Sequence, residues 1–231
     1  MGLREEVVGI TKFCVHPAQW FQSKHRVGGT KTLHIETIKA LQPDLVIASK
    51  EENNQEQIEQ LASQFPVWIS NMQTVSEALN MIKSVGQLVG KEENAIQIAH
   101  SIQSAFSAFA AEEKGASKRV AYFIWYRPWM CAGNDTFIHD MIQQLGWQNV
   151  FENTSRYPEV TIEQLQEAAP DWLLLSSEPF PFKEKHVLEL QQIFPQAKVA
   201  LVDGEMFSWY GSRMLKAIPY FKTWLNDLHK R

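Results

Sequence analysis

Ile162-Glu163-Gln164-Leu165-Gln166-Glu167-Ala168-Ala169-Pro170-Asp171-Trp172-Leu173-Leu174-Leu175-Ser176 is the stretch that decides the fold. Apolar residues at 162, 165 and 168 recur at the interval that puts them on one helix face. Pro170-Asp171 stops that helix and opens a turn. The run from Trp172 to Leu175 shows no polar alternation, the mark of a strand in a parallel sheet covered on both faces. The same pattern occurs once before. Ile35-Glu36, Ile38 and Leu41 precede Pro43-Asp44 and the run Leu45-Val46-Ile47-Ala48-Ser49. Glu36 stands seven residues before Pro43, and Glu163 seven before Pro170.

Each copy continues in the same order. A polar or proline-containing loop leads to a second helix, over about 55–64 and about 183–193, and then to another strand, 67–69 and 198–202. Two copies of this order predict an α/β protein of two small lobes. Between them, Thr74-Val75-Ser76-Glu77 has the form of a capping box and starts a helix that reaches about Val89, with Gly86 and Gly90 as punctuation. A second helix is predicted over about 92–113, where Ile96, Ala99, Ile102, Ala105, Phe106 and Phe109 share a face. Its length at about 1.5 Å per residue is roughly 33 Å, the width of a lobe. With an alanine-rich interior free of glycine, it reads as a stiff connector between the lobes. Gly115-Ala116-Ser117 ends it, a strand follows over 119–125, and a last helix runs over about 212–228. The expected organisation is an N-terminal lobe at 1–91, a backbone helix at 92–115 and a C-terminal lobe at 116–231.

Composition narrows the function classes. A chain of 231 residues has room for a core without a disulfide or a structural metal. With 22 basic against 26 acidic residues it lacks the positive excess that grips a phosphate backbone, so no nucleic-acid partner is expected. No run approaches the roughly 18 to 20 apolar residues of a membrane span. The opening Met1-Gly2-Leu3-Arg4-Glu5-Glu6 has neither the apolar core nor the cleavage site of a signal peptide, and Glu6 stands where myristoylation asks for Ser or Thr. Cys14 and Cys131 are far apart and form no CxxC pair, so they read as two isolated thiols. GxGxxG, Walker, GxSxG and HExxH motifs are absent, which leaves an enzyme reading without a motif. Asp135 and His139 stand at helical spacing, with Asp135 as a helix cap.

The repeat and the long helix together resemble the helical-backbone, or class III, substrate-binding proteins of ABC importers, with the cobalamin-binding type as the nearest branch. The segments that carry the resemblance are 7–11, 27–31, 38–48, 92–113, 119–123, 133–146, 160–176 and 198–203. The resemblance implies two Rossmann-like lobes with parallel sheets, joined by one backbone helix, with a ligand cleft between them. It implies a monomeric extracytoplasmic binder that captures cobalamin or a related corrinoid and hands it to an ABC permease, with no catalysis and no cofactor of its own. A receptor for ferric siderophore, haem or a metal ion, or a stand-alone ligand sensor, is the alternative. Members of the family begin with a strand and helix before the segment matching 7–11. The chain as given is therefore expected to lack one strand of the first lobe and to carry an open sheet edge.

In parallel α/β sheets ligands sit beyond the carboxyl ends of the strands. The loops expected there are 12–21, 27–31, 125–131 and 203–210, and they hold four of the eight tryptophans, Trp20, Trp125, Trp129 and Trp209. The expected ligand contacts are Trp20, Phe21, Gly28, Gly29, Thr30, Lys31, Trp125, Tyr126, Trp129, Phe207, Trp209 and Tyr210. Aromatic rings suit a flat or ring-shaped ligand, and Gly28 and Gly29 would let backbone approach it closely. The competing reading is that these tryptophans plug the ends of two cores. Lys12, Lys31, Arg127 and Arg213 are few cations for a catecholate siderophore, which tilts the reading toward a corrinoid. His16, His34, His139 and the two cysteines do not assemble into a recognisable ligand set, so no metal site is expected; His16 as an axial ligand to a macrocycle's metal is a further alternative. By the resemblance, each lobe presents a surface glutamate to the permease. Glu56 and Glu184 match best, with Glu51 and Glu178 as substitutes. The plainer reading is that these are solvated carboxylates at helix starts, where the helix dipole favours them.

Overall fold

The computed structural model describes residues 1–112 and 116–229. Glu113 and Gly115, expected at the end of the long helix, lie outside the described residues. The chain divides into two compact units, Met1–Asn71 and Met72–Arg231.

The first unit runs β1 (Gly9–Ile10), α1 (Ala18–Ser23), β2 (His25–Arg26), α2 (Ile35–Leu41), β3 (Val46–Ser49), α3 (Gln55–Ala62) and β4 (Val67–Ser70). β1 pairs with β2 and β3 with β4, both parallel, as two separate two-stranded sheets. Parallel neighbours cannot be joined by a tight turn, which is why a helix stands between the members of each pair. α2 stops where Gln42 takes a left-handed φ of 46° just ahead of Pro43, whose ring excludes the helical conformation from the residue before it. The core is small: Leu33, Ile38, Ala48, Ile58 and Leu61, with Val27, Ile35, Val46, Phe65 and Val67 packed against it. The apolar run of β3 predicts a strand buried on both faces. Ile47 is instead 50% exposed and Ile69 of β4 51%; among the described residues β3 pairs with β4 alone, in a two-stranded sheet too small to be covered on both faces.

The second unit opens with α4 (Val75–Leu88) and α5 (Glu92–Ala110). Thr74 and Glu77 form the expected capping box, each side chain bonded to the other's backbone N–H. The two helices touch closely at Gly86, where an added Cβ would lie 2.2 Å from the Cβ of Ala95. β5 (Arg119–Trp125), β6 (Met130–Cys131), α6 (Phe137–Gln144), β7 (Gln148–Asn149), α7 (Ile162–Ala168), β8 (Trp172–Ser176), α8 (Glu184–Ile193), β9 (Lys198–Val202), α9 (Glu205–Ser208) and α10 (Met214–His229) follow. Their five-stranded sheet has the order β6-β5-β8-β9, with β7 also on β5; only β6 is antiparallel. β8 lies between β5 and β9, and all five of its residues are buried. α5 docks on α10 of the same unit through Phe109 and Phe221, whose ring centres are 6.3 Å apart. Three further tryptophans, Trp147, Trp172 and Trp224, pack together 5.5 to 6.4 Å apart. No described helix is long and apolar enough to cross a membrane.

Candidate functional site

The loops at the carboxyl ends of β5 and β8 carry an aromatic group of the second unit. Trp125 ends β5 and remains 41% exposed, its ring edge-on to Phe180 at 5.8 Å. Tyr126 lies 4.8 Å from Trp129 and donates its phenol hydrogen to Glu189 (3.1 Å). The Arg127 guanidinium stacks over the Tyr126 ring at 4.9 Å and stands 3.8 Å from the same carboxylate. Trp129 meets Phe123 edge-on and lies parallel to Phe182. His186 is buried beneath Tyr126, Phe180 and Phe182, and its Nδ1 accepts the Lys183 N–H at 2.9 Å. Burial pushes its imidazole pKa down, which favours the neutral ring. The structure thus brings Trp125, Tyr126 and Trp129 together, through Phe180, Phe182 and His186. Those three are partners the sequence reading missed, although the alternation Phe180-Pro181-Phe182 after a buried strand was a signal for them.

A second group surrounds α9. The Trp209 Nε1–H and the Ser208 hydroxyl both donate to Glu178 Oε1, at 2.5 and 2.7 Å. Burial raises the Glu178 pKa, the two hydrogen bonds oppose that rise, and the nearby Glu205 and Asp203 add to it. Arg213 pairs with Glu205 and lies 6.0 Å over the Trp209 ring. Tyr210 packs edge-on to Phe137 at 5.7 Å. Behind them the Tyr122 phenol donates to Ser176 Oγ at 3.1 Å, and complete burial drives its pKa far up.

Several expected contacts take other roles. Phe207 is fully buried between Tyr122 and Phe221, at 5.0 and 4.9 Å, because α9 turns that side chain into the core. It is a packing residue and not a ligand contact. Glu178, a substitute docking glutamate by position, is half-buried, with Oε1 accepting from Trp209 and Ser208. Cys131 is fully buried and Cys14 exposed, both as free thiols; burial raises the Cys131 pKa. Thr136, not Asp135, caps α6, accepting the His139 N–H, while Asp135 accepts from Arg156 N at 2.6 Å.

In the first unit Trp20 borders a cavity of about 520 Å³, together with Leu3, Arg4, Pro17, Gln19 and Lys24 among others. Phe21 lies under the Arg26 guanidinium at 4.1 Å. Gly28 has φ +100°, and a Cβ there would lie 2.4 Å from the Thr32 carbonyl oxygen. Its missing side chain therefore makes room for its own loop and not for a ligand. Gly29 faces Lys12 and Phe13, Thr30 Oγ1 reaches Glu52 at 3.4 Å, and Lys31 Nζ donates to the Glu51 carbonyl at 2.6 Å. Glu56 and Glu184 are both exposed in the first turns of α3 and α8. Among the described residues no three His, Cys, Asp or Glu side chains converge as a metal site.

Residues 1–194 match the profile of the family described as periplasmic binding protein. The chain belongs to that family. Among curated relatives, the vitamin B12-binding protein of Salmonella typhimurium is 25% identical over 189 residues, covering 80% of this chain and 68% of its own. The vitamin B12-binding protein of Vibrio parahaemolyticus is 27% identical over 179 residues, covering 76% and 64%. An uncharacterised ABC transporter substrate-binding lipoprotein of Bacillus subtilis is 27% identical over 180 residues, covering 74% and 57%. The chain thus spans about two thirds or less of these relatives' length. In solved structures this periplasmic binding protein shares its fold with the vitamin B12 binding protein of Vibrio cholerae, with a TM-score of 0.78, 20% identity and coverage of 97% and 89%. It also matches a periplasmic haem-binding protein in complex with two haems, with a TM-score of 0.80, 24% identity and coverage of 95% and 88%.

Proposed function

We propose that this periplasmic binding protein captures cobalamin or a related corrinoid outside the cytoplasm and delivers it to an ABC importer. The observation that carries the reading is the exposed Trp125 on a braced aromatic cluster, in a unit where both candidate arginines, Arg127 in that cluster and Arg213 beside α9, stand next to acids. A half-exposed indole edge-locked by Phe180 is a stacking surface for a large ring. Arg127 stands beside Glu189 and Arg213 pairs with Glu205, so neither brings uncompensated charge to the ligand. That balance suits a near-neutral corrinoid with amide side chains better than a strongly anionic siderophore. Haem, whose edge carries two carboxylates, is the second reading, favoured by the fold shared with haem binders. The other proposed ligand contacts are Trp129, Trp209 and Tyr210 in the second unit and, taken by themselves, Trp20, Phe21, Gly29, Thr30 and Lys31 in the first. The role is binding and not catalysis, by a monomer with no cofactor of its own; a stand-alone sensor would use the same contacts without a transporter.

Exposed carboxylates that meet arginines orient a partner more than they hold it, which suits transient docking. Glu56 and Glu184 are assigned to that task. The test is tryptophan-fluorescence titration with cyanocobalamin and with haemin, on the parent protein and on Trp125→Ala. Cyanocobalamin quenching that weakens about tenfold or more in the variant supports the corrinoid reading, since each tenfold is about 1.4 kcal/mol. Quenching by haemin alone transfers the reading to haem, and quenching by neither overturns both. Reversing Glu56 and Glu184 to Lys together should leave affinity intact and abolish transporter stimulation; unchanged uptake would sink the docking assignment.

A further inference from the structure

We propose that Glu178 is a positioning residue for ligand capture, holding the Trp209 indole by its N–H so that the ring is fixed as a stacking platform. The proposal rests on the reading that Trp209 touches the ligand. An indole has one hydrogen-bond donor, and a partner at that donor selects one setting of its side-chain torsions. Here the donor meets a carboxylate oxygen at 2.5 Å, and the Ser208 hydroxyl occupies the same oxygen at 2.7 Å. Bonds to an ionised acceptor are stronger than those between neutral groups.

The acid is itself fixed at both ends. The Glu178 carbonyl accepts from Ser176 Oγ at 2.5 Å, and its N–H donates to the same atom at 3.2 Å. Gly204 supplies an independent mark of a fitted slot. A Cβ there would lie 2.6 Å from Glu178 Cγ and 2.4 Å from Ser176 Oγ, so only glycine lets the acid lie where it does. Gly204 has an ordinary right-handed backbone (φ −60°, ψ −34°), so its conformation does not require glycine and the crowding does. Arg213, paired with Glu205, stands over the Trp209 ring and limits its swing on that side. The charged and titratable groups around the carboxylate are Asp203 and Glu205 at α9, Arg213 before α10, Tyr220 on α10 and Tyr122 on β5. Burial and the two acids raise the Glu178 pKa, so on acidification it is protonated, and its hold on the indole weakened, sooner than for an ordinary glutamate.

The experiment compares Glu178→Gln, Glu178→Leu, Gly204→Ala and Trp209→Phe with the parent protein. It reads the near-ultraviolet circular dichroism band assigned to Trp209 by difference, its pH profile in the unliganded protein, and cyanocobalamin affinity. Gln keeps an acceptor oxygen, so Glu178→Gln should retain the band and bind within about threefold of the parent, with a flat pH profile. Glu178→Leu and Gly204→Ala should both lose the band and bind roughly tenfold more weakly. Gly204→Ala keeps the acid, so it tests the proposal if Glu178→Leu fails to fold. A band and an affinity unchanged in both of these variants would overturn the proposal, as would a Gln variant as impaired as Leu. If Trp209→Phe binds cyanocobalamin like the parent, Trp209 is no ligand contact and the role of Glu178 in capture falls with it. The unliganded band still reports separately whether Glu178 holds the ring.

Discussion

β3 and β8 are the same sequence idea in two surroundings. Each follows a short amphipathic helix that ends in a left-handed residue before Pro-Asp, Gln42 with φ 46° and ψ 57° in one copy, Ala169 with φ 43° and ψ 61° in the other. Local geometry has been repeated within a few degrees at non-glycine positions. Beyond the turn the copies part. β8 has a strand on either side and is buried throughout, whereas among the described residues β3 pairs with β4 alone and leaves Ile47 half exposed. Short-range sequence sets the shape of the motif, then, and its burial depends on what the rest of the unit places beside it.

The largest expected break in that likeness comes from truncating the strands. Leu174→Ala in β8 removes a fully buried side chain and should cost about 3 kcal/mol in urea unfolding; Ile47→Ala in β3 should cost less than about 1 kcal/mol. Equal losses would show that the two strands are equally buried in solution. A smaller contrast lies at the helix starts. Thr161 caps α7 by accepting the Gln164 N–H, while His34 before α2 makes no side-chain cap. Thr161→Ala should lower stability by about 1 kcal/mol and His34→Ala by a few tenths at most, read as shifts in melting temperature. The smallest effect should also be the most alike in the two copies. Gln42→Gly and Ala169→Gly each relieve a left-handed residue, against the extra entropy that glycine gives the unfolded chain. Each should gain roughly 0.5 kcal/mol, and unlike signs would mean that the two turns differ.

Signals confined to a few neighbouring residues were legible in the sequence. The strands at 119–125 and 198–202 and the Thr74 capping box stand where pattern and capping chemistry place them. What escaped was the direction of side chains on short irregular segments. Phe207 and Trp209 are two residues apart, yet α9 sends the first into the core and the second onto Glu178. Gly28 reads as a place for a ligand to come near, but its own loop fills the space. Phe180 and Phe182, from the loop after β8, and His186, from the first turn of α8, complete the aromatic cluster. Each of these depends on a partner 20 or more residues away or on a turn's handedness, which no periodicity reports.

The contact between Gly86 and Ala95 has a mechanical consequence. Two helices pressed together with no room for a methyl group cannot slide past each other without separating first. Rods that cannot slip bend as one beam, and a composite beam is stiffer than its rods taken singly. Even a one-carbon wedge at position 86 would therefore pry the helices apart where they meet, beside the turn that joins them.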